Sequence, residues 1–126
     1  MAWKVIVVEP ARSWLHELRM TDRATLKQIS NAIDILAEEG PALGRPLVDT
    51  VDGSELANLK ELRPGSAGTT EVRLLFIFDP ARQAVFLVGG NKAGNWKRWY
   101  DSAIPQAEQA YEQYLRDMKE AGGTGR

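Results

Sequence analysis

The stretch "EVRLLFIFDPARQAVFLVGGN", residues 71–91, decides the fold. After Glu71, the residues Val72 to Phe78 are apolar on both faces except at Arg73. That pattern predicts a strand lying centrally in a sheet. "DPAR" (79–82) has proline at the second position of a type I turn. "QAVFLVGGN" then reads as the returning strand of an antiparallel hairpin. Gly89 and Gly90 are expected to end that strand and to let a ligand or a neighbouring backbone come close.

Working outward toward the N-terminus, "NLKELRPG" (58–65) reads as a short strand closed by Pro64-Gly65, and "SAGTT" (66–70) as a turn. Residues 41–58 are rich in Pro, Gly, Asp and Ser, so they predict a loop with room for a short paired segment. Before them, Leu26, Ile29, Ile33 and Leu36 repeat at three and four, the stripe of an amphipathic helix. Thr21 or Asp22 is placed to cap it, and Gly40-Pro41 stops it. "ARSWLHELRM" (11–20) suits a shorter helix with Trp14, Leu15 and Leu18 on one face. "WKVIVV" (3–8) is a β-branched run that predicts a buried first strand, ended by Pro10.

Toward the C-terminus a last helix is expected to run to about Glu120. Its inward positions are Ile104, Ala107, Tyr111, Tyr114 or Leu115, and Met118. Pro105 belongs either in its first turn or at a break after a short turn at 96–100. The order β, α, α, three strands and a helix predicts an α+β domain. Two N-terminal helices pack on a small, mainly antiparallel sheet that also carries a C-terminal helix. The expected organisation is one domain over 1–120 with a flexible tail at 121–126.

The chain of 126 residues has no cysteine, which excludes disulfides and thiolate metal sites. A single histidine, His16, argues against a histidine metal site or a serine–histidine triad, and it reads as a surface residue of the first helix. No apolar run is long enough to span a membrane. The short apolar start lacks a basic leader, so the expected location is the cytoplasm. "VGGNKAG" (88–94) lacks the spacing of a phosphate-binding loop.

The net charge is −1, but residues 59–100 hold seven cations and three acids, a local charge of +4. Such asymmetry permits a basic site on a nearly neutral protein. Arg73 is the informative member, because a guanidinium inside an apolar strand must find a partner or open onto a cleft. The structural alternative is a salt bridge across the sheet to Glu61 or Glu71. In an antiparallel hairpin Lys92 comes to the same end of the sheet as Arg73, and Lys60 and Arg63 extend the patch from the adjoining strand. Converging cations suit a phosphodiester. In "NWKRWY" (95–100), Trp99 has the spacing to seat a helix on the core. Trp96 and Tyr100, beside Lys97 and Arg98, mix aromatics with cations as single-stranded RNA binding requires. Tyr100 can also exchange a proton in a transition state.

The run "LKELRPGS…EVRLLFIFDP" followed by "GGNKAGNWKRWY…IP.A…Y..YL" resembles the HigB-type toxins of the RelE/ParE superfamily, in their phage-derived branch. The likeness is spread over most of the chain. It implies a RelE-like fold and an mRNA endonuclease that cuts messages on translating ribosomes, without a metal or other cofactor. The ribose 2′-OH attacks the adjacent phosphate and leaves a 5′-hydroxyl. It also implies a cognate helix-turn-helix antitoxin of the HigA kind, expected to cover apolar helix surface and to offer acids to the basic cleft. On this sequence the resemblance puts Arg73, Lys92 and Tyr100 in the catalytic set. Lys60, Arg63, Lys97, Arg98 and Trp96 would hold phosphate or flanking RNA. Relatives that carry a histidine or a C-terminal tyrosine in the acid–base role have no match here in a histidine near the site. Two other functions sit on the same resemblance: a toxin that poisons DNA gyrase without cutting RNA, and a non-toxic partner or co-repressor of the antitoxin.

Overall fold

A computed structural model describes residues 2–65 and 71–124. The turn expected at "SAGTT" and the last two residues of the expected tail lie outside them. The elements follow in the order β1 (Lys4–Val7), α1 (Ala11–Thr21), α2 (Arg23–Glu39), β2 (Val48–Thr50), β3 (Lys60–Leu62), β4 (Val72–Asp79), β5 (Gln83–Asn91) and α3 (Trp96–Thr124). The five strands form one sheet in the order β1-β5-β4-β3-β2. β1 runs parallel to β5, and the other pairs are antiparallel. This is the expected α+β architecture, with the hairpin strands β4 and β5 inside the sheet.

The hairpin loop explains itself in local chemistry. The backbone N–H of Arg82 donates to the Asp79 carbonyl at 3.2 Å, closing the turn expected at "DPAR". Arg82 then takes φ 62°, the left-handed residue that follows a type I turn in a three-residue hairpin loop. Where β4 pairs with β5, the register slips between Leu75 and Phe76: Val88 faces Leu75, but Phe86 faces Phe76. Leu87 is the extra residue of a β-bulge, so Leu87 and Val88 both turn to one face.

Each face of the sheet has its own core. Leu62, Val72, Leu74, Phe76, Ala84 and Phe86 meet Ile29, Ala32 and Leu36 of α2 and Trp14, Leu15 and Leu18 of α1. Leu59, Leu75, Ile77, Val85, Leu87 and Val88 meet Ala103, Ala107, Ala110 and Tyr114 of α3. Strand alternation produces this division, since neighbouring residues point to opposite faces. Asp22 is the cap of α2, its side chain accepting the Thr25 N–H at 3.1 Å.

Several expectations are corrected. β1 is a half-buried edge strand rather than a fully buried one. Gly89 and Gly90 do not end β5, which continues to Asn91. Their role is to admit two rings: a Cβ on Gly89 would lie 2.3 Å from Trp14 of α1, and one on Gly90 would lie 2.4 Å from Trp99 of α3. Pro105 neither starts nor breaks the last helix, which runs through it from Trp96 to Thr124. Trp99 and Ala103 before it and Ala107 after it all pack on the sheet, and this packing outweighs the local cost of proline. Met118 is 50 % exposed. The buried stripe stops at Tyr114, whose hydroxyl donates to Asp79 at 2.8 Å, and Asp79 is the last residue of β4.

Candidate functional site

Three polar side chains meet on the α3 face of the sheet. Arg73 comes from β4, opposite Gly90, and is 3 % exposed. Glu61 comes from β3, opposite Leu75, and is 8 % exposed. Tyr100 comes from the first turns of α3 and donates its hydroxyl proton to Glu61 Oε1. The Nε of Arg73 lies 3.9 Å from the same carboxylate oxygen, and its Nη1 donates to the Val72 carbonyl at 2.8 Å. Burial pushes the Tyr100 hydroxyl well above the ordinary tyrosine range, and the hydrogen bond to the Glu61 carboxylate pushes the same way. Arg73 opposes that shift more weakly. Tyr100 is therefore a held proton donor at neutral pH.

Glu61 and Tyr100 line the floor of a hollow of about 260 Å3, with Thr50, Val51, Asp52, Trp96 and Ile104 around it. Arg73 does not line it. It stands behind Glu61 as a counter-ion, so the structural alternative of a cross-sheet pair with Glu61 is realised. At this cleft the carboxylate can accept a hydrogen bond or a proton and the phenol can donate one, with the guanidinium fixed behind them. Glu61 is the residue that sequence reasoning named only as a salt-bridge partner. Its signal was its position in "LKELR", two residues before Arg63 and on the alternate face from Lys60.

The remaining expected site residues divide. Lys92 does come to the end of the sheet that carries Arg73: its N–H donates to the Glu71 carbonyl at 2.9 Å and its Nζ lies 3.3 Å from the Glu71 carboxylate. The ammonium also sits 5.9 Å from the centre of the Trp96 ring. Lys97 and Arg98 are exposed on the first turn of α3. Trp96 is 60 % exposed at the cleft edge, whereas Trp99 packs over Gly90 as expected. Arg63 turns to Asp49, 4.0 Å away. Lys60 is not brought to the site. It pairs with Phe76, whose side chain lies in the α1/α2 core, so Lys60 shares that face of the sheet, away from Glu61 and Tyr100. Among the described residues no group of three or more acids and histidines is arranged to hold a metal ion. No helix there is long and apolar enough to cross a membrane.

The fold and the cleft together define a RelE-like α+β protein with a polar cluster beneath its last helix. More particularly, residues 16–112 match the family described as "Phage derived protein Gp49-like (DUF891)", and the chain belongs to it. Two relatives from Mycobacterium tuberculosis are similar over nearly the whole chain. One, "Putative toxin HigB2", is 53 % identical over 113 residues, covering 90 % of this chain and 55 % of the relative. The other, "Putative toxin HigB3", is 51 % identical over 119 residues, covering 94 % of this chain and 97 % of the relative. The chain thus spans about half the length of the first relative and nearly all of the second. The HigB-like, phage-derived resemblance is borne out.

Proposed function

We propose that this chain is the toxin of a toxin–antitoxin pair and acts as a ribosome-dependent mRNA endonuclease. The observation that carries the reading is the Arg73–Glu61–Tyr100 cluster at a cleft whose edge holds Trp96 and Lys97. The names of the two relatives support the toxin role. In the reaction the proton of a ribose 2′-OH leaves, the 2′-oxygen attacks phosphorus, and the bond from phosphorus to the 5′-oxygen breaks. The products are a 2′,3′-cyclic phosphate and a 5′-hydroxyl, so one proton is removed and one is returned. Glu61 is the acceptor within the cleft, and Tyr100, whose hydroxyl already turns to Glu61, is the donor. Arg73 holds Glu61 in place, and Lys92 adds positive charge at the strand end. Lys97 and Arg98 contact flanking RNA or the ribosome. A helix-turn-helix antitoxin silences the toxin.

The cluster relies on a phenol and a carboxylate and contains no histidine. Such chemistry suits an enzyme whose substrate is oriented by the ribosome. Controlled expression in a bacterial host tests the reading. Wild type should arrest growth with loss of translation, and Tyr100→Phe should grow normally at equal protein level. Arrest by both, or by neither, contradicts the reading.

A further inference from the structure

Residues 51–59 join β2 to β3 without regular structure. This loop is one wall of the cleft. Val51 and Asp52 line the hollow of about 260 Å3 above Glu61, and Asp52, Gly53 and Glu55 line an adjoining one of about 460 Å3. The facing wall is α3, through Trp96, Tyr100 and Ile104. The width of the cleft is therefore the distance at which the loop is held from α3.

The ends of the loop belong to the sheet, where the Val51 N–H donates to the Leu59 carbonyl at 2.9 Å. Its middle is held by a side chain of the helix. Glu108 lies about two turns beyond Tyr100 on α3. Its Oε2 accepts from the Ser54 hydroxyl at 2.8 Å and from the Glu55 N–H at 2.7 Å. Ser54 Oγ accepts in turn from the Leu56 N–H at 3.0 Å. One carboxylate oxygen thus organises three consecutive loop donors, two of them directly, through charge-assisted bonds. Gly53 turns the chain into this arrangement at φ 88°, a conformation that favours glycine. Leu56 then packs against the α3-face core.

The Glu61–Tyr100 pair is held by other means. Glu61 is set by the register of β3 with β4 and by Arg73, and the Tyr100 ring by its edge contact with Trp99. Releasing the loop would open the cleft wall and leave the pair in place.

We propose that Glu108 is a positioning residue. It clasps the loop 51–59 to α3 and so shapes the cleft that receives the substrate, without touching the reacting atoms. The inference rests on the reading that this cleft cuts RNA. Loss of the clasp weakens substrate binding and spares the chemical step.

The test compares wild type, Glu108→Ala and Glu108→Gln, each shown by a thermal melt to be folded. Glutamine keeps an acceptor oxygen for Ser54 and Glu55 but removes the charge. Two readouts are taken: amide hydrogen exchange across 51–59 in the free protein, and message cleavage on translating ribosomes at increasing toxin concentration. Glu108→Ala should speed exchange at Glu55 and Leu56 about tenfold. It should raise the half-saturating concentration about tenfold and leave the plateau rate within about twofold. Glu108→Gln should stay near wild type in both. Unchanged exchange or unchanged half-saturation in Glu108→Ala overturns the proposal, and so does a fall confined to the plateau rate. Equal effects of alanine and glutamine assign the change to charge and overturn it as well. Absence of cleavage by wild type sinks the nuclease reading and this inference with it, whereas cleavage by wild type that is indifferent to Glu108 sinks this inference alone.

Discussion

Tyr100, one turn into α3, donates its hydroxyl proton to Glu61 in the middle of β3, and the bond fastens the C-terminal helix over buried Arg73. The ring itself is held by an edge contact with Trp99 at 5.0 Å. Tyr100→Phe keeps that packing and removes only the donor. Leaving a buried carboxylate without it should cost about 1–3 kcal/mol of stability. If Tyr100 is the acid, cleavage should fall by about 10²-fold or more. A chemical-denaturation curve and a cleavage rate, measured on the same preparation, separate the two effects. Unchanged cleavage would remove Tyr100 from the reaction.

Arg73 is expected to matter for folding before it matters for chemistry. Arg73→Ala leaves Glu61 buried without its cation, a loss of about 3–5 kcal/mol by the usual cost of breaking a buried pair. Glu61→Gln in the same chain should return a large part of that loss. A double-mutant cycle of unfolding free energies reads the coupling directly. Additive single effects would show that the two residues do not act as a pair.

Gly89 and Gly90 test the packing of the two tryptophans separately. Gly89→Ala drives a methyl into Trp14, and Gly90→Ala drives one into Trp99. Each should destabilise the fold by about 1–3 kcal/mol through overpacking. The second substitution should also disturb the cleft, because Trp99 precedes Tyr100. Tryptophan emission together with thermal melting gives both readouts. A Gly90→Ala protein of native stability would rule out the close ring approach.

Much of this was legible in the sequence because it was local. The hairpin declared itself through an unbroken apolar run and turn chemistry at "DPAR". α1 and α2 declared themselves through their stripes. β2 was legible only as room for a short paired segment in a loop, since three residues paired only with β3 carry little pattern. The site was half legible. Arg73 stood out as a lone charge in an apolar strand, and the antiparallel register brought Lys92 to its end. Lys60 was misplaced because the face of a three-residue strand depends on its register with β4. The acids that line the cleft beside Tyr100 were invisible as a group, because Asp52 and Glu55 lie far in sequence from Asp101 and Glu108. A charge count over residues 59–100 stops just short of all four.

Alkaline pH should loosen the α3 face. Burial and the hydrogen bond to Asp79 push the Tyr114 hydroxyl up to about 12 from its ordinary 10.0. A group whose folded pKa is raised contributes stability that is complete below its unfolded pKa and is lost as pH rises through the folded one. Stability should therefore hold to about pH 10 and fall between there and about pH 12. Tyr114→Phe should flatten that decline, at the cost of lower stability at neutral pH. The check is a series of melts from pH 8 upward on both proteins. Parallel curves for the two would contradict this assignment.

The central claim, that the Glu61–Tyr100 cleft cuts translated messages, is tested most directly by primer extension. Purified protein is added to a cell-free translation reaction, and message 5′ ends are mapped with and without ribosomes, for wild type and Tyr100→Phe. The account predicts new 5′ ends on translated message with wild type, none without ribosomes, and few with Tyr100→Phe. Intact messages and undiminished translation would contradict it and direct the next assay to DNA gyrase.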